Sequence, residues 1–306
     1  MERDDRDELR RLRDRSKTQD QEIARLRGEA SDARDRHRER GHLIDRLERE
    51  AGVDAAALDV LRSRLSDAEL ELGDLRALRD ALTPPAMPTR PGLDLAATFL
   101  PASNRVSGDF YLAAEGPADS TLLVVGDVVG HGIEAARRAA FVRTTFVSTA
   151  PFSDSPCQLL EWANAALVER AGVGSDFVTA ACISFTPADR SLRWAYAGHP
   201  PAVRLDSGDE LLGDPPGLPL GIDTDLGCLN QTAHLAAGDG VLLYTDGLTE
   251  ASGRGDMFGV ERVVTSVRSA RALSAGQVVE RMRSDAAEFA PGEMSDDLCI
   301  LAVRAA

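Results

Sequence analysis

The chain predicts an α+β fold built on antiparallel sheets and preceded by a long coiled-coil helix. Residues 1–82 hold one heptad register and contain no Pro, Phe, Tyr or Trp. A Pro-rich segment follows. From residue 91 short alternating or apolar runs are interrupted by paired amphipathic helices, without regular βαβ alternation.

Counting by sevens from Leu9 and from Leu12 places Leu, Ile or Ala at sixteen of twenty-two seam positions up to Leu82. A period of 3.5 residues held this long buries only its a/d stripe, the condition for a left-handed coiled coil. The stretch from Leu58 to Leu82 is the stronger part. Ser16, Gln19, His37, Arg40 and Asp54 interrupt the seam, with Gly52 nearby. A single helix held by i,i+4 charge pairs is the alternative, since the segment carries 19 Arg+Lys and 22 Asp+Glu. Such a helix has no need of Leu58, Leu61, Leu65, Leu72, Leu75 and Leu82 on one stripe. Pro84, Pro85 and Pro88 stop it, because proline lacks the amide donor and restricts the residue before it. The expected organisation is therefore a coil over 1–82, a linker over 83–90 and a globular domain over 91–306.

Within that domain the expected strands are Leu93–Phe99, Gly108–Ala113, Leu122–Asp127, Phe177–Phe185, Leu192–Tyr196, Ala202–Leu205, Val241–Tyr244 and Leu298–Val303. Apolar residues three and four apart predict helices over Ile133–Ala150, Gln158–Ala171, Val260–Ser269 and Ala275–Phe289. About 215 residues suffice for one sizeable core.

Charge and composition exclude several functions. Fifty Asp+Glu against 35 Lys+Arg give a net charge of −15, the wrong sign for a nucleic-acid partner. No apolar run approaches a membrane span, and the charged Met1–Asp5 start does not read as a signal peptide. A cytoplasmic protein is expected. Cys157, Cys182, Cys228 and Cys299 lie far apart, with no C-x-x-C pair. They are expected to be small buried hydrophobes in a reducing compartment.

The aspartates point to chemistry. Asp127 ends the apolar run that begins at Leu122, Asp246 ends the run from Val241, and Asp296 and Asp297 open Leu298–Leu301. Asp109 stands beside Gly108 ahead of two aromatics. Carboxylates at buried strand ends, flanked by glycines that admit close backbone approach, suit hard cations. If those ends converge, two carboxylates about 4 Å apart repel by roughly 4 kcal/mol at an effective dielectric near 20. Such a cluster needs a cation or shifted pKa values. Taken singly, each aspartate reads as a cap or turn residue ahead of a ligand, and only as a set do they favour a metal.

An ordered set of motifs extends this reading. Leu100-Pro101-Ala102, Val106-Ser107-Gly108-Asp109-Phe110-Tyr111 and Gly126-Asp127-Val128-Val129-Gly130-His131-Gly132 come first. Tyr196-Ala197-Gly198-His199-Pro200-Pro201, Pro219-Leu220-Gly221, Tyr244-Thr245-Asp246-Gly247-Leu248-Thr249-Glu250 and Asp296-Asp297-Leu298 follow. Over about Leu93 to Arg304 the chain resembles the bacterial stage II sporulation-type serine/threonine phosphatases, a branch of the metal-dependent type 2C protein phosphatases.

The resemblance implies an α-β-β-α sandwich with two Mn²⁺ or Mg²⁺ ions at one end. Asp127 would bridge both metals. Asp246 and Asp296 would complete one, and Asp109 with the backbone carbonyl of Val128 would hold the other. Gly130, Gly132 and Gly247 would permit turns beside the metals. His131 would shape its loop or act as a general acid, His199 would join strands, and Asp297 would be a ligand or a supporting partner. The sequence departs from the family at Leu112, where many members carry Asp, which bears on a third, weaker metal position. The implied function is metal-dependent hydrolysis of phosphoserine or phosphothreonine on a phosphorylated anti-sigma factor antagonist, and the leucine seam adds the expectation of a homodimer joined through the coil. The alternative is a non-catalytic phosphoprotein-binding adaptor.

Overall fold

The computed structural model describes residues 25, 28–29, 32, 35–50, 58, 60–68, 86–102, 107–174, 176–253, 255–292 and 296–306. The chain divides into two units, Met1–Arg76 and Ala77–Ala306. In the first, residues 35–50 and 60–68 are helical. Ile44, Leu47, Leu58, Leu61 and Leu65 of the heptad stripe are 54–61% exposed, so the single chain leaves this seam uncovered. The expected seam residues Leu72, Leu75 and Leu82, and linker positions 83–85, lie outside the described residues.

The second unit contains twelve described strands. They are β1 (Leu93–Leu100), β2 (Phe110–Glu115), β3 (Thr121–Val128), β4 (Val178–Thr186), β5 (Ser191–Ala197) and β6 (Ala202–Arg204). After these come β7 (Glu210–Leu211), β8 (Gln231–His234), β9 (Gly240–Tyr244), β10 (Ser252–Gly253), β11 (Asp256–Met257) and β12 (Leu298–Ala305). Its helices are α1 (Ile133–Thr149), α2 (Pro156–Ala171), α3 (Asp246–Thr249), α4 (Gly259–Ser269) and α5 (Ala275–Phe289).

Two five-stranded sheets form, in the orders β1-β12-β9-β6-β7 and β2-β3-β4-β5-β8. Every pairing within them is antiparallel. The strand period of two sorts residues onto faces. Leu123, Val125, Ala181, Ile183, Val241, Leu243, Cys299 and Leu301 meet between the sheets. Leu122, Val124, Val178 and Cys182 face the other way, against α1 and α2. Leu242, Tyr244, Leu298 and Ile300 pack against α4 and α5. The result is the α-β-β-α sandwich. Both faces of each sheet are covered, which explains why the central strands read as continuous apolar runs.

Local chemistry explains the helix ends. Ser274 and Gln277 form a reciprocal capping box at the start of α5. Ser155 caps α2, whose first turn carries Pro156.

One expectation is overturned. Cys157 and Cys228 are disulfide-bonded, 71 positions apart with Cα atoms 5.8 Å from each other. Only Cys182 and Cys299 are the buried free thiols expected of all four. Asn230 Oδ1 accepts from the backbone N–H of Cys157 at 2.9 Å, and its side-chain amide donates to Ser155 at 2.7 Å. These bonds seat the Cys228 loop on the start of α2, a contact that sequence spacing does not register. No helix among the described residues is long and apolar enough to cross a membrane.

Candidate active site

The same period of two carries the acidic residues to one end. Leu123 and Val125 face the opposing sheet, so Asp127 follows them on the inner phase of β3. Asp109, just before β2, shares the phase of Tyr111 and is buried. Thr245 follows Val241 and Leu243 in phase, and Asp297 precedes Cys299. Asp246 begins α3, and Asp296 stands two positions before β12.

Glycines permit this crowding. A Cβ on Gly247 would lie 1.9 Å from the carbonyl oxygen of Asp297, so only glycine lets α3 rest against the approach to β12. A Cβ on Gly108 would lie 2.8 Å from the carbonyl oxygen of Val128. Gly130 and Gly132 instead serve the turn, with φ of 92° and 88°.

Polar contacts anchor the carboxylates. Thr245 Oγ1 donates to Asp109 Oδ2 at 2.7 Å and accepts from the Cys299 N–H at 3.0 Å. Asp109 N–H donates to Ser107 Oγ at 2.9 Å. Asp297 Oδ1 accepts from the Ala102 N–H at 2.7 Å, which ties the last motif to the first. Asp296 Oδ1 accepts from the N–H of Asp297 at 2.8 Å.

The electrostatics are one-sided. Burial, then the charge of Asp127, hold the Asp109 carboxyl well above the usual carboxylate range, against the opposing Thr245 hydrogen bond. Burial pushes Asp127 up to about 6; a hydrogen bond with Asp109 lowers it, while Asp246, Asp296 and Asp297 raise it. Asp246 is raised by burial and by Asp296, and Glu250 by burial and then Asp246 and Asp296. Every charged neighbour acting on these four groups is itself a carboxylate. No salt bridge among the described residues reaches them.

The predicted residues therefore meet as two pairs. Asp109 and Asp127 share a hydrogen bond, while Asp246 and Asp296 face each other electrostatically, with Asp127 coupled to both. They do not close into a tight cluster, for no three of their carboxylates bring oxygens within 4.8 Å of one another. His131 is exposed in the turn before α1. His199 is buried away from solvent and touches Thr179 and Tyr244. Leu112 packs with α1 and α2 on the outer face, where it cannot supply a group to this end. Sequence reasoning missed Thr245, Thr179 and Glu250. Thr245 was findable, since it continues the inward phase of Val241 and Leu243 one position before Asp246.

The donor set is all oxygen, uncompensated and partly buried, which fits hard divalent cations. A two-sheet sandwich with helices outside and carboxylates gathered at one end is the architecture of the PP2C-type protein serine/threonine phosphatases. The chain is similar to the SiaA-PP2C domain of Pseudomonas aeruginosa, with a TM-score of 0.63 and 24% identity over 78% of this chain and 98% of that one. It belongs to the Stage II sporulation protein E (SpoIIE) family, whose model residues 117–306 match. It is thus a protein serine/threonine phosphatase by kinship. A curated relative is the phosphoserine phosphatase RsbU of Bacillus subtilis (strain 168), 24% identical over 80% of this chain and 72% of that protein. The RsbU and RsbW domains of Rv1364c from Mycobacterium tuberculosis superpose with a TM-score of 0.60 at 27% identity. That match covers 73% of this chain and 62% of the other. PP2C-family phosphatases are metal-dependent.

Proposed function

We propose that residues 91–306 form a cytoplasmic two-metal phosphatase acting on phosphoserine or phosphothreonine of a phosphorylated anti-sigma factor antagonist. Residues 1–82 would join two copies through a coiled coil, with 83–90 as the linker. The observation that carries the reading is the end of the sandwich where Asp127 raises the proton affinity of Asp109, Asp246 and Asp296 raise that of Asp127, and Asp296 raises that of Asp246, without a basic partner. The substrate rests on the motif resemblance and on kinship to RsbU.

Asp127, one of the first pair and influenced by both Asp246 and Asp296, would hold both metals, Mn²⁺ or Mg²⁺. Asp246 and Asp296 would hold one, and Asp109 with the Val128 carbonyl the other. Two such ions, when bound, acidify a shared water and draw charge from the phosphoryl oxygens. Thr245 engages Asp109 Oδ2 and so fixes that carboxylate beside Asp127. Burial and the charge of Asp127 raise the proton affinity of Asp109, and cationic charge bound there would lower it. Cys299, the thiol nearest this end, is no nucleophile, because burial and then Asp109 and Asp127 push its pKa up.

The test is phosphate release from a serine-phosphorylated antagonist protein and from p-nitrophenyl phosphate, with Mn²⁺, with Mg²⁺ and with chelator. Metal-dependent turnover of both is expected. Tight binding of the phosphoprotein with no turnover of either would make the chain an adaptor and defeat the reading.

A further inference from the structure

The two carboxylate pairs sit on different sheets, and a buried histidine bridges those sheets beside them. Asp109 and Asp127 belong to the β2-β3-β4-β5-β8 sheet, and Asp246 and Asp296 flank strands of the other. Thr179 on β4 is the register partner of Asp127, on the same inner face. Its hydroxyl lies 2.8 Å from His199 Nδ1. The opposite ring nitrogen, Nε2, lies 3.1 Å from the carbonyl oxygen of Tyr244, two positions before Asp246.

These partners assign the tautomer. A carbonyl can only accept, so Nε2 carries the proton and donates to Tyr244. Nδ1 then accepts from the Thr179 hydroxyl. One neutral imidazole thereby links the strand partner of Asp127 to the strand that delivers Asp246. The backbone next to His199 is held as well. Gly198 pairs with Ala180, and a Cβ there would lie 2.5 Å from the Pro219 ring.

We infer that Thr179 and His199 are positioning residues that set the separation between the two halves of the metal site. The inference rests on the two-metal reading above. In that reading the ion held by Asp127, Asp246 and Asp296 draws ligands from both sheets, so its binding is sensitive to the sheet spacing. A neutral donor–acceptor relay suits this task beside a run of carboxylates, because it adds no charge that would compete with the cation. Partners one step removed from a metal's ligands typically change its affinity by about 10–100-fold when replaced.

Full-length Thr179→Val, Thr179→Ser, His199→Gln, the Thr179→Val/His199→Gln double variant and Asp127→Asn would be compared by calorimetric Mn²⁺ titration and thermal melting. Thr179→Val is expected to weaken Mn²⁺ binding about tenfold or more, with Thr179→Ser restoring it. The double variant should bind no more weakly than the worse single one, since both break the same bridge. Wild-type Mn²⁺ affinity in Thr179→Val, with Asp127→Asn impaired, would overturn the positioning role alone. Failure of Thr179→Ser to restore binding would also overturn it, by showing that packing rather than the hydroxyl matters. Wild-type affinity in Asp127→Asn would overturn the metal reading, and this inference with it.

Discussion

Thr245 donates a hydrogen bond from its hydroxyl to Asp109 across 136 positions of sequence and from one sheet to the other. Both groups are buried, and Thr245 also receives the N–H of Cys299. Replacing Thr245 with Val keeps the shape and leaves two buried polar groups without a partner. A loss of about 1–3 kcal/mol in urea unfolding is expected. The Asp109 carboxyl should rise further, because the removed bond was what lowered it. A variant as stable as wild type would show that water replaces the hydroxyl.

Asp127→Asn and Asp246→Asn should each lower kcat by orders of magnitude while leaving the chain folded. Metal-free Asp127→Asn should melt at or above the wild-type temperature, because it removes a carboxylate repelled by its neighbours. Calorimetry of chelator-stripped, desalted protein measures this. Wild-type turnover in either variant would remove the two-metal mechanism.

The metal-free protein should also show an inverted pH response at this site. Folding raises Asp127 from 3.8 to about 6, so the folded state holds a proton that the unfolded state gives up. The stability it contributes is full below pH 3.8 and is lost as pH rises through 6. The loss amounts to about 3 kcal/mol at 1.36 kcal/mol per pKa unit. Wild type minus Asp127→Asn, followed by unfolding from pH 4 to pH 7, isolates it. A flat difference would mean that Asp127 is not proton-coupled in the empty site.

His199 acts in the opposite sense. Burial lowers it from 6.5 to about 4, against the Tyr244 hydrogen bond, so the folded state refuses a proton that the unfolded state accepts. Stability is full above pH 6.5 and falls as pH drops toward 4. Relative to His199→Gln, wild type should lose about 3 kcal/mol over that interval. An NMR titration of His199 that gives an ordinary value in the folded protein would contradict the buried neutral tautomer.

The intact chain should be a parallel dimer through residues 58–82. Leu58, Leu61 and Leu65 are more than half exposed in one chain, and each is worth roughly 1.5–3 kcal/mol when fully buried. Light scattering on the full chain and on a version beginning at residue 83 checks this. A full-length monomer at tens of micromolar would defeat it. Inserting four residues near Leu75 breaks the register and reveals whether the coil acts on catalysis. Unchanged kcat/KM in that insertion and in the truncated version would leave the coil a tether.

Elements whose signals are local were legible without coordinates. Helix α5 runs over Ala275–Phe289 as its periodicity predicts, because Ser274 and Gln277 cap it from within five residues of sequence. Strands β3, β4 and β12 were visible as apolar runs because both of their faces are buried. Strand β8 was not visible. Gln231–His234 is polar and alternates half-buried with exposed, and it is a strand only because β5 offers it an edge.

The four aspartates proposed to hold the metals could be named from strand ends and motifs, since a carboxylate closing an apolar run is a local oddity. How they pair could not. Asp109 meeting Asp127, Thr245 meeting Asp109 and His199 spanning Thr179 and Tyr244 depend on which strands become neighbours and how far apart the two sheets stand. The Cys157–Cys228 bond has the same origin, 71 positions apart in sequence. Hydrophobic periodicity tells each residue which way to face. Distance between residues remote in sequence comes from packing, where burial of both sheet faces sets the spacing and with it the charge that each carboxylate feels.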